Sequence, residues 1–472
     1  MSEIKNLFKN TSWMMISHVI TGICAFIWSI IIARYLGVND FGILSFGISF
    51  NCLTTVLLDL GLTTYSIRDM SRNTDLISRY VGNLIPLKIL LGIFTFILTF
   101  IILILMGYKH ITIEVTLILV FQIFFMSLGS MIGGAFQALR KLKYTSISAI
   151  MYSLVQLIII LIGVYFDLGL IFITCSYVVG YLVQVIYLYI KLRNYEKPKI
   201  DFDLSFWKKC LKFSLPFALT TLFFSIYYSI DVVMLSYLVG DVATGLYNSA
   251  YKIISVLTNF FLIYQAVVFP LMSKLFDNSD DLMMLSFNKS IKYLLLLLLP
   301  LSLGIITYTD QIVVLIYGNT YISASNIMKI LIWTVILLFI NGAITTLLNA
   351  SNKEVSVTKI YATASIFNII LNIILISIYS YNGAALATVI SEIFILLLMY
   401  YVVRKTKYCP NKSILKDIFK IAVASIGMFV ILQYINNMWI GLIIGILVYT
   451  LIVLALKILD DDDKYIIKEI IH

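Results

Sequence analysis

Residues 294–299 of this chain are consecutive leucines, and residues 157–162 read LIIILI. Neither run alternates with polar residues, as a membrane β-strand would. Working outward from them, apolar segments recur at approximately 12–36, 42–66, 80–106, 112–137, 145–166, 168–190, 210–239, 242–272, 289–316, 324–350, 356–380, 382–403, 414–436 and 438–458. At about 1.5 Å per residue, each is long enough to cross about 30 Å of hydrocarbon. The expected fold class is all-α, a polytopic membrane protein of about 14 transmembrane helices. Composition agrees: 61% of the 472 residues are apolar, 12% are charged, and the mean hydropathy is +1.00. A soluble chain is about 45–50% apolar and about 25% charged. The excess excludes an ordinary soluble enzyme, a nucleic-acid-binding domain and a disordered chain.

The net charge of +10 comes from basic residues lying between the apolar runs, where they act as topology signals. Lys5 and Lys9, Arg68, Arg72 and Arg79, Arg140 to Lys143, the connection 191–212, Lys274 to Lys292, Lys353 and Lys359, 404–420 and the tail all fall on one side. Only Arg34 and Lys109 fall on the other, and Lys88, Lys252 and Lys329 lie inside spans. Both termini are therefore expected in the cytoplasm of a cell (plasma or inner) membrane protein. Ser12–Tyr35 is too long for a signal-peptide core and reads as a retained first span. Cys24, Cys52, Cys175, Cys210 and Cys409 are scattered, so neither a disulfide framework nor a zinc site is expected. The run Asp460–Asp463 reads as a solvated helix start. Outer loops are too short for an active site, and no Gly-Lys pair exists for a phosphate-binding loop, so no enzymatic activity is expected.

Two halves resemble each other. Gly37 and Gly42 match Gly240 and Gly245 at a shift of 203; Gln137–Lys141 matches Asn349–Lys353 at 212; Tyr165–Gly169 matches Tyr379–Gly383 at 214. The same order in both halves argues for duplicated six-helix lobes. The expected domains are an N-lobe, 1–200, a C-lobe, 201–405, and two further helices with the tail, 406–472. Pro216, Pro270 and Pro300 each remove a helical hydrogen bond and mark candidate kinks.

With Ala33-Arg34-Tyr35-Leu36-Gly37 through Phe41-Gly42, Asp59 to Gly61, Arg68 and the 6+6+2 layout in view, the chain resembles the polysaccharide-biosynthesis (Wzx-type oligosaccharide) flippases. These belong to the multidrug/oligosaccharidyl-lipid/polysaccharide (MOP) exporter superfamily. The resemblance implies a MATE-like V of two lobes, a central cavity and alternating access. It also implies a substrate made of oligosaccharide on a polyprenyl (di)phosphate, with the two extra helices lining a groove for the lipid tail. No nucleic acid and no resident cofactor are expected. A monomer working among membrane lipids and glycosyltransferases is.

Charged groups at bilayer depth cost roughly 2.5–3.5 kcal/mol on insertion scales unless they meet water or a partner. Arg34, Arg68 and Lys252 are candidate phosphate contacts along the route; snorkelling for Arg34 and a topology role for Arg68 are the competing readings. His18 and Asp59 lie at similar depth on adjacent spans, as a structural pair or a proton site. Lys88 and Lys329 read as snorkelling residues, and Glu392 has no evident cation partner. Asp231, Asn368, Asn372 and Thr388 lie at similar depth, a set of oxygens suited to a hard cation. With the Ala384 carbonyl they resemble the sodium site of lipid II flippases. An Asp231–Lys252 pair, or Asn residues as interhelical glue, are the alternatives. The aligned first-lobe positions, Trp28, Gln156 and Ile160, hold no acid. The coupling ion is thus sodium or a proton. Two other functions remain open: a multidrug or cation antiporter, disfavoured by the basic route, and a lipid II-type peptidoglycan precursor flippase.

Overall fold

The computed structural model describes residues 2–408, 412–460 and 463; Cys409 lies outside them. Among the described residues the secondary structure is wholly helical. The chain divides into two compact units, Met1–Gly245 and Leu246–His472. The first holds α1 (Ser2–Asp59), α2 (Leu62–Arg72), α3 (Ile77–Leu105), α4 (His110–Ala138), α5 (Leu142–Tyr165), α6 (Gly169–Leu192) and α7 (Leu204–Leu238). Helix α8 (Asp241–Asn278) begins at its end. The second holds α9 (Asp280–Tyr317), α10 (Ala324–Ala350), α11 (Glu354–Arg404), α12 (Lys412–Leu432) and α13 (Met438–Ala455).

Ten of these helices are long and apolar enough to cross a membrane. Two of the ten carry two sequence segments each. Helix α1 is broken at Gly37 (φ 71°, ψ 178°), and α11 at Ser380 (φ 54°, ψ −134°). Helices α8 and α12 cover the two remaining segments. The first break needs glycine, because a Cβ clashes at that φ and ψ. Ser380 adopts a comparable conformation with a Cβ, and so stores strain.

The lateral surface is built for lipid. Helix α3 exposes Ile89, Leu90, Ile93, Phe94, Ile97, Phe100, Ile101 and Ile104, and buries Asn83, Lys88, Thr95 and Thr99. This apolar-out, polar-in arrangement follows when hydrocarbon is the solvent. Pro86 leaves the Gly82 carbonyl without its helical donor. The Asp201 backbone N–H donates to that carbonyl at 3.4 Å. Nearby, the Asp203 N–H donates to Asn83 Oδ1 (3.1 Å) and the Trp207 indole to the Asn83 carbonyl (2.9 Å). The connection into α7 is thereby laid onto α3, and α7 packs on α1, α2 and α3. Helix α7, which the sequence boundary assigns to the second lobe, thus belongs to the first compact unit.

Repeat-related positions share backbone conformations. Gly37 and Gly240 both have positive φ (71° and 117°), as do Arg140 and Asn352 (56° and 57°). The second glycine of each matched pair packs against the other repeat's turn. A Cβ on Gly42 would lie 1.8 Å from the Asp241 carbonyl oxygen, and one on Gly245 would lie 2.0 Å from the Val38 carbonyl oxygen. Pro300 sits inside α9, but the non-helical residue of that helix is Tyr308 (φ −107°, ψ 18°).

Candidate functional site

In the first unit, Asp59 ends α1, where positive φ at Leu60 and Gly61 turns the chain into α2. Its Oδ1 accepts from Lys88 Nζ (2.5 Å) and from the Thr63 hydroxyl (2.5 Å). Lys88 also donates to the Ser127 hydroxyl (2.5 Å) and is wholly buried. Two expectations are corrected here. Lys88 does not snorkel, and Asp59 is held by Lys88 rather than by His18, whose side chain is exposed. The reason is energetic: an ammonium taken out of water needs a carboxylate and further hydrogen-bond acceptors, and Asp59, Thr63 and Ser127 supply them.

Arg68 is half-exposed on α2. Its guanidinium lies 5.2 Å from the Tyr65 ring centre and 5.6 Å from that of Phe217, with Asp69 at 3.5 Å. The planar cation is thus oriented by two rings while one face stays accessible. Arg34 is exposed on α1, before the Gly37 break. The next residue ties that break to another turn: the Tyr35 hydroxyl donates to Asp167 (2.8 Å) and accepts from the Gly169 N–H (2.8 Å). Sequence reasoning missed this tether. Asp231 is buried on α7.

In the second unit, Lys252 is half-buried on α8. Four sequence-selected residues lie on the two arms of α11, which a hydrogen bond joins. Asn372 Nδ2 donates to Asn368 Oδ1 (3.0 Å), and Asn368 Nδ2 to the Ser391 hydroxyl on the other arm (3.1 Å). One turn before Ser391, the Thr388 hydroxyl donates to the Ala384 carbonyl (3.0 Å), with the Tyr247 hydroxyl at 3.2 Å. Asn368, Asn372 and Ala384 are buried. Amide, carbonyl and hydroxyl oxygens without nitrogen or sulfur ligands fit a hard monovalent cation. Glu392 is buried too, and its Oε2 accepts from Asn341 Nδ2 of α10 (2.7 Å), a neutral partner where a cation was sought.

A groove of about 560 Å³ runs between α9, α12 and α13. Leu297, Leu301, Ile305, Met428, Leu442 and Ile446 are among its walls. The α12–α13 pair is fastened to α9 at both ends. At one, the Tyr308 hydroxyl donates to the Ile435 carbonyl (2.9 Å) and Gln311 Nε2 to the Asn436 carbonyl (2.6 Å). At the other, Asp463 accepts from Lys289 (2.5 Å), Lys292 (2.5 Å) and the Tyr293 hydroxyl (2.6 Å), while Asp460 accepts from Lys289 (2.7 Å). Asp463 is fully buried, which corrects the solvated reading at that residue, whereas Asp460 stays exposed. Burial alone would raise its carboxyl; the two lysines and Tyr293 outweigh that and hold it well below the usual carboxylate range.

The family described as polysaccharide biosynthesis protein matches residues 7–276, and the MatE family matches residues 216–374. A probable low-salt glycan biosynthesis flippase, Agl15 of Haloferax volcanii, is 26% identical over 235 residues, which are 48% of this chain and 49% of that protein. The chain thus spans about half the length of that relative. An uncharacterized membrane protein of Methanocaldococcus jannaschii, MJ1375, is 24% identical over 85% of this chain and 99% of its own. Among solved structures, the lipid II flippase MurJ in an inward closed conformation superimposes with a TM-score of 0.78 at 19% identity, covering 94% of this chain and 98% of MurJ. An inward-facing multidrug resistance MATE transporter gives a TM-score of 0.67 at 12% identity, covering 82% and 96%. The chain is a multi-pass membrane protein with the MOP-superfamily fold, and it belongs to the polysaccharide biosynthesis protein family.

Proposed function

We propose that this protein moves polyprenyl-(di)phosphate-linked oligosaccharide from the cytoplasmic to the outer leaflet of the cell membrane by alternating access, with both termini cytoplasmic. The observation that carries the proposal is the groove between α9, α12 and α13, whose walls are almost wholly apolar, as a site for an isoprenoid tail must be. A small cationic drug has no use for such a groove. The family match and the likeness to a glycan flippase support the same substrate class. Arg34, Arg68 and Lys252 offset the cost of carrying a phosphate through low dielectric. Arg68 is the best prepared of them, since two rings already orient its fork.

The coupling ion is sodium in this proposal. Asn368, Asn372, the Ala384 carbonyl and Thr388, all in the second unit, would supply its neutral oxygen ligands, and Asp231 is the carboxylate that the sequence reading adds to them. The ion would supply a positive charge whose gradient biases one conformational state. No catalytic residue is invoked. The protein acts as a monomer and receives its substrate from glycosyltransferases.

The test is flipping of a fluorescent lipid-linked oligosaccharide in proteoliposomes, with and without a sodium gradient. Lys252→Ala is expected to abolish flipping while leaving insertion intact. Asp231→Asn is expected to remove the sodium response, and full sodium-independent activity in that variant would end the sodium assignment. Efflux of a cationic dye without lipid flipping would instead favour a multidrug antiporter.

A further inference from the structure

Inside the first unit, a cavity of about 360 Å³ lies between α1, α2, α4, α5 and α6. Small-molecule sites run from about 300 to 1,000 Å³. Its polar lining is Thr63, Ser130, Gln137, Thr145, Ser148 and Gln184, and no charged side chain lines it among the described residues. The Thr63, Thr145 and Ser148 hydroxyls donate within the protein, to Asp59, the Leu142 carbonyl and the Thr145 carbonyl, which leaves Ser130 and the two glutamines to meet a ligand. Among the described residues, the Gln137 amide and the Ser130 hydroxyl have no protein partner. Gln184 Nε2 reaches only the Ser148 hydroxyl, at 3.4 Å.

The chemistry of the lining narrows the ligand. An anion calls for a cationic group, and none lines the cavity among the described residues; a volume of this size is also far larger than one bare cation fills. An apolar chain would leave amides and hydroxyls unpaired, at a cost of roughly 1–3 kcal/mol each. An uncharged group rich in hydroxyls, donating and accepting at short range, satisfies them. Helix α4 leaves room for it. A Cβ on Gly133 would meet Thr145 only at 3.4 Å, so alanine is tolerated there and a longer side chain would enter the cavity.

We propose that this cavity is a sugar subsite. It takes the monosaccharide nearest the diphosphate of the lipid-linked oligosaccharide. The inference rests on the flippase reading and assigns it a second contact region, separate from the α9–α12–α13 groove. It also makes the sugar, and not only the lipid diphosphate, a determinant of selection.

The experiment compares binding of two probes to the purified full-length protein: a polyprenyl diphosphate bearing one N-acetylhexosamine, and the same polyprenyl diphosphate without sugar. Wild type is expected to prefer the first by roughly tenfold or more, the gain from one or two well-made hydrogen bonds. Gly133→Leu, which fills the cavity, and the double variant Gln137→Leu/Gln184→Leu, which removes its amides, are each expected to bring that ratio close to one. Affinity for the sugar-free lipid stays at the wild-type value, and that affinity also shows that the variants are folded. No preference in wild type, or a preference that survives both variants, overturns the subsite and leaves the flippase reading standing. Failure of wild type to bind either lipid ends the flippase reading, and the subsite with it.

Discussion

Gly42→Ala tests whether the two repeats are joined backbone to backbone. The added methyl would sit 1.8 Å from the Asp241 carbonyl oxygen and 2.7 Å from its carbon, whereas ordinary contact starts near 3.4 Å. The obstructing atoms are main chain and cannot rotate away. Helices α1 and α8 must therefore part by roughly 1.6 Å at their crossing, and overpacking of this kind costs about 1–3 kcal/mol. With the obstacle rigid, the upper end applies, offset by about 1 kcal/mol of helix propensity gained from glycine to alanine, for a net loss of about 2 kcal/mol. The assay is thermal unfolding in detergent, followed by a thiol-reactive dye at the buried free cysteines Cys24 and Cys210. A downward shift of roughly 2–4 °C is expected. Gly22→Ala is the control, because a Cβ there meets nothing within 4 Å; it should leave the midpoint unchanged or raise it. The contact is reciprocal, so Gly42→Ala/Gly245→Ala should cost less than the sum of the single variants: the helices need part only once. Equal behaviour of Gly42→Ala and Gly22→Ala would refute the reasoning.

Lys88→Met strands the Asp59 carboxylate and Asp59→Ala strands the ammonium, so each is expected to lose about 3–5 kcal/mol, while the double variant recovers most of it; the same unfolding assay reads all three. Asp463 has a folded-state pKa below its unfolded value, so its stabilisation is present above about pH 4 and is lost as pH falls further. Asp463→Asn should flatten that part of the acid-unfolding profile, and an unaltered profile would show that the tail contributes nothing. Ser380→Gly relieves a left-handed φ of 54° and is expected to raise the midpoint slightly, by about 1 kcal/mol of stability.

Much of the fold is legible in the chain because apolar runs of membrane length allow few alternatives. The repeat is legible for a different reason: Gly37 and Gly240 occupy turns with positive φ, where substitution is restricted. The fusion of two spans into α1 and two into α11 is not legible, since the breaking residue in α11 is Ser380, an ordinary serine to any reader of sequence. The Lys88–Asp59 pair was missed because its partners lie on different helices and are joined by packing, not spacing. Depth counting instead offered His18. For Asp463 the partners are far earlier in the chain, on α9, and no local pattern announces them. Asn368 and Asn372 hydrogen-bond to each other, as residues four apart on one helix face can, because periodicity along a helix is local information. The sugar-facing cavity was invisible, since its polar residues are individually unremarkable and come from four helices.

The double fastening of α12 and α13 onto α9 has a practical consequence. A hairpin held at Gln311 and again at Lys292 must break hydrogen bonds at one end or the other to slide or splay against α9. A spectroscopic probe placed along α13 is therefore expected to track α9 as long as both fastenings hold.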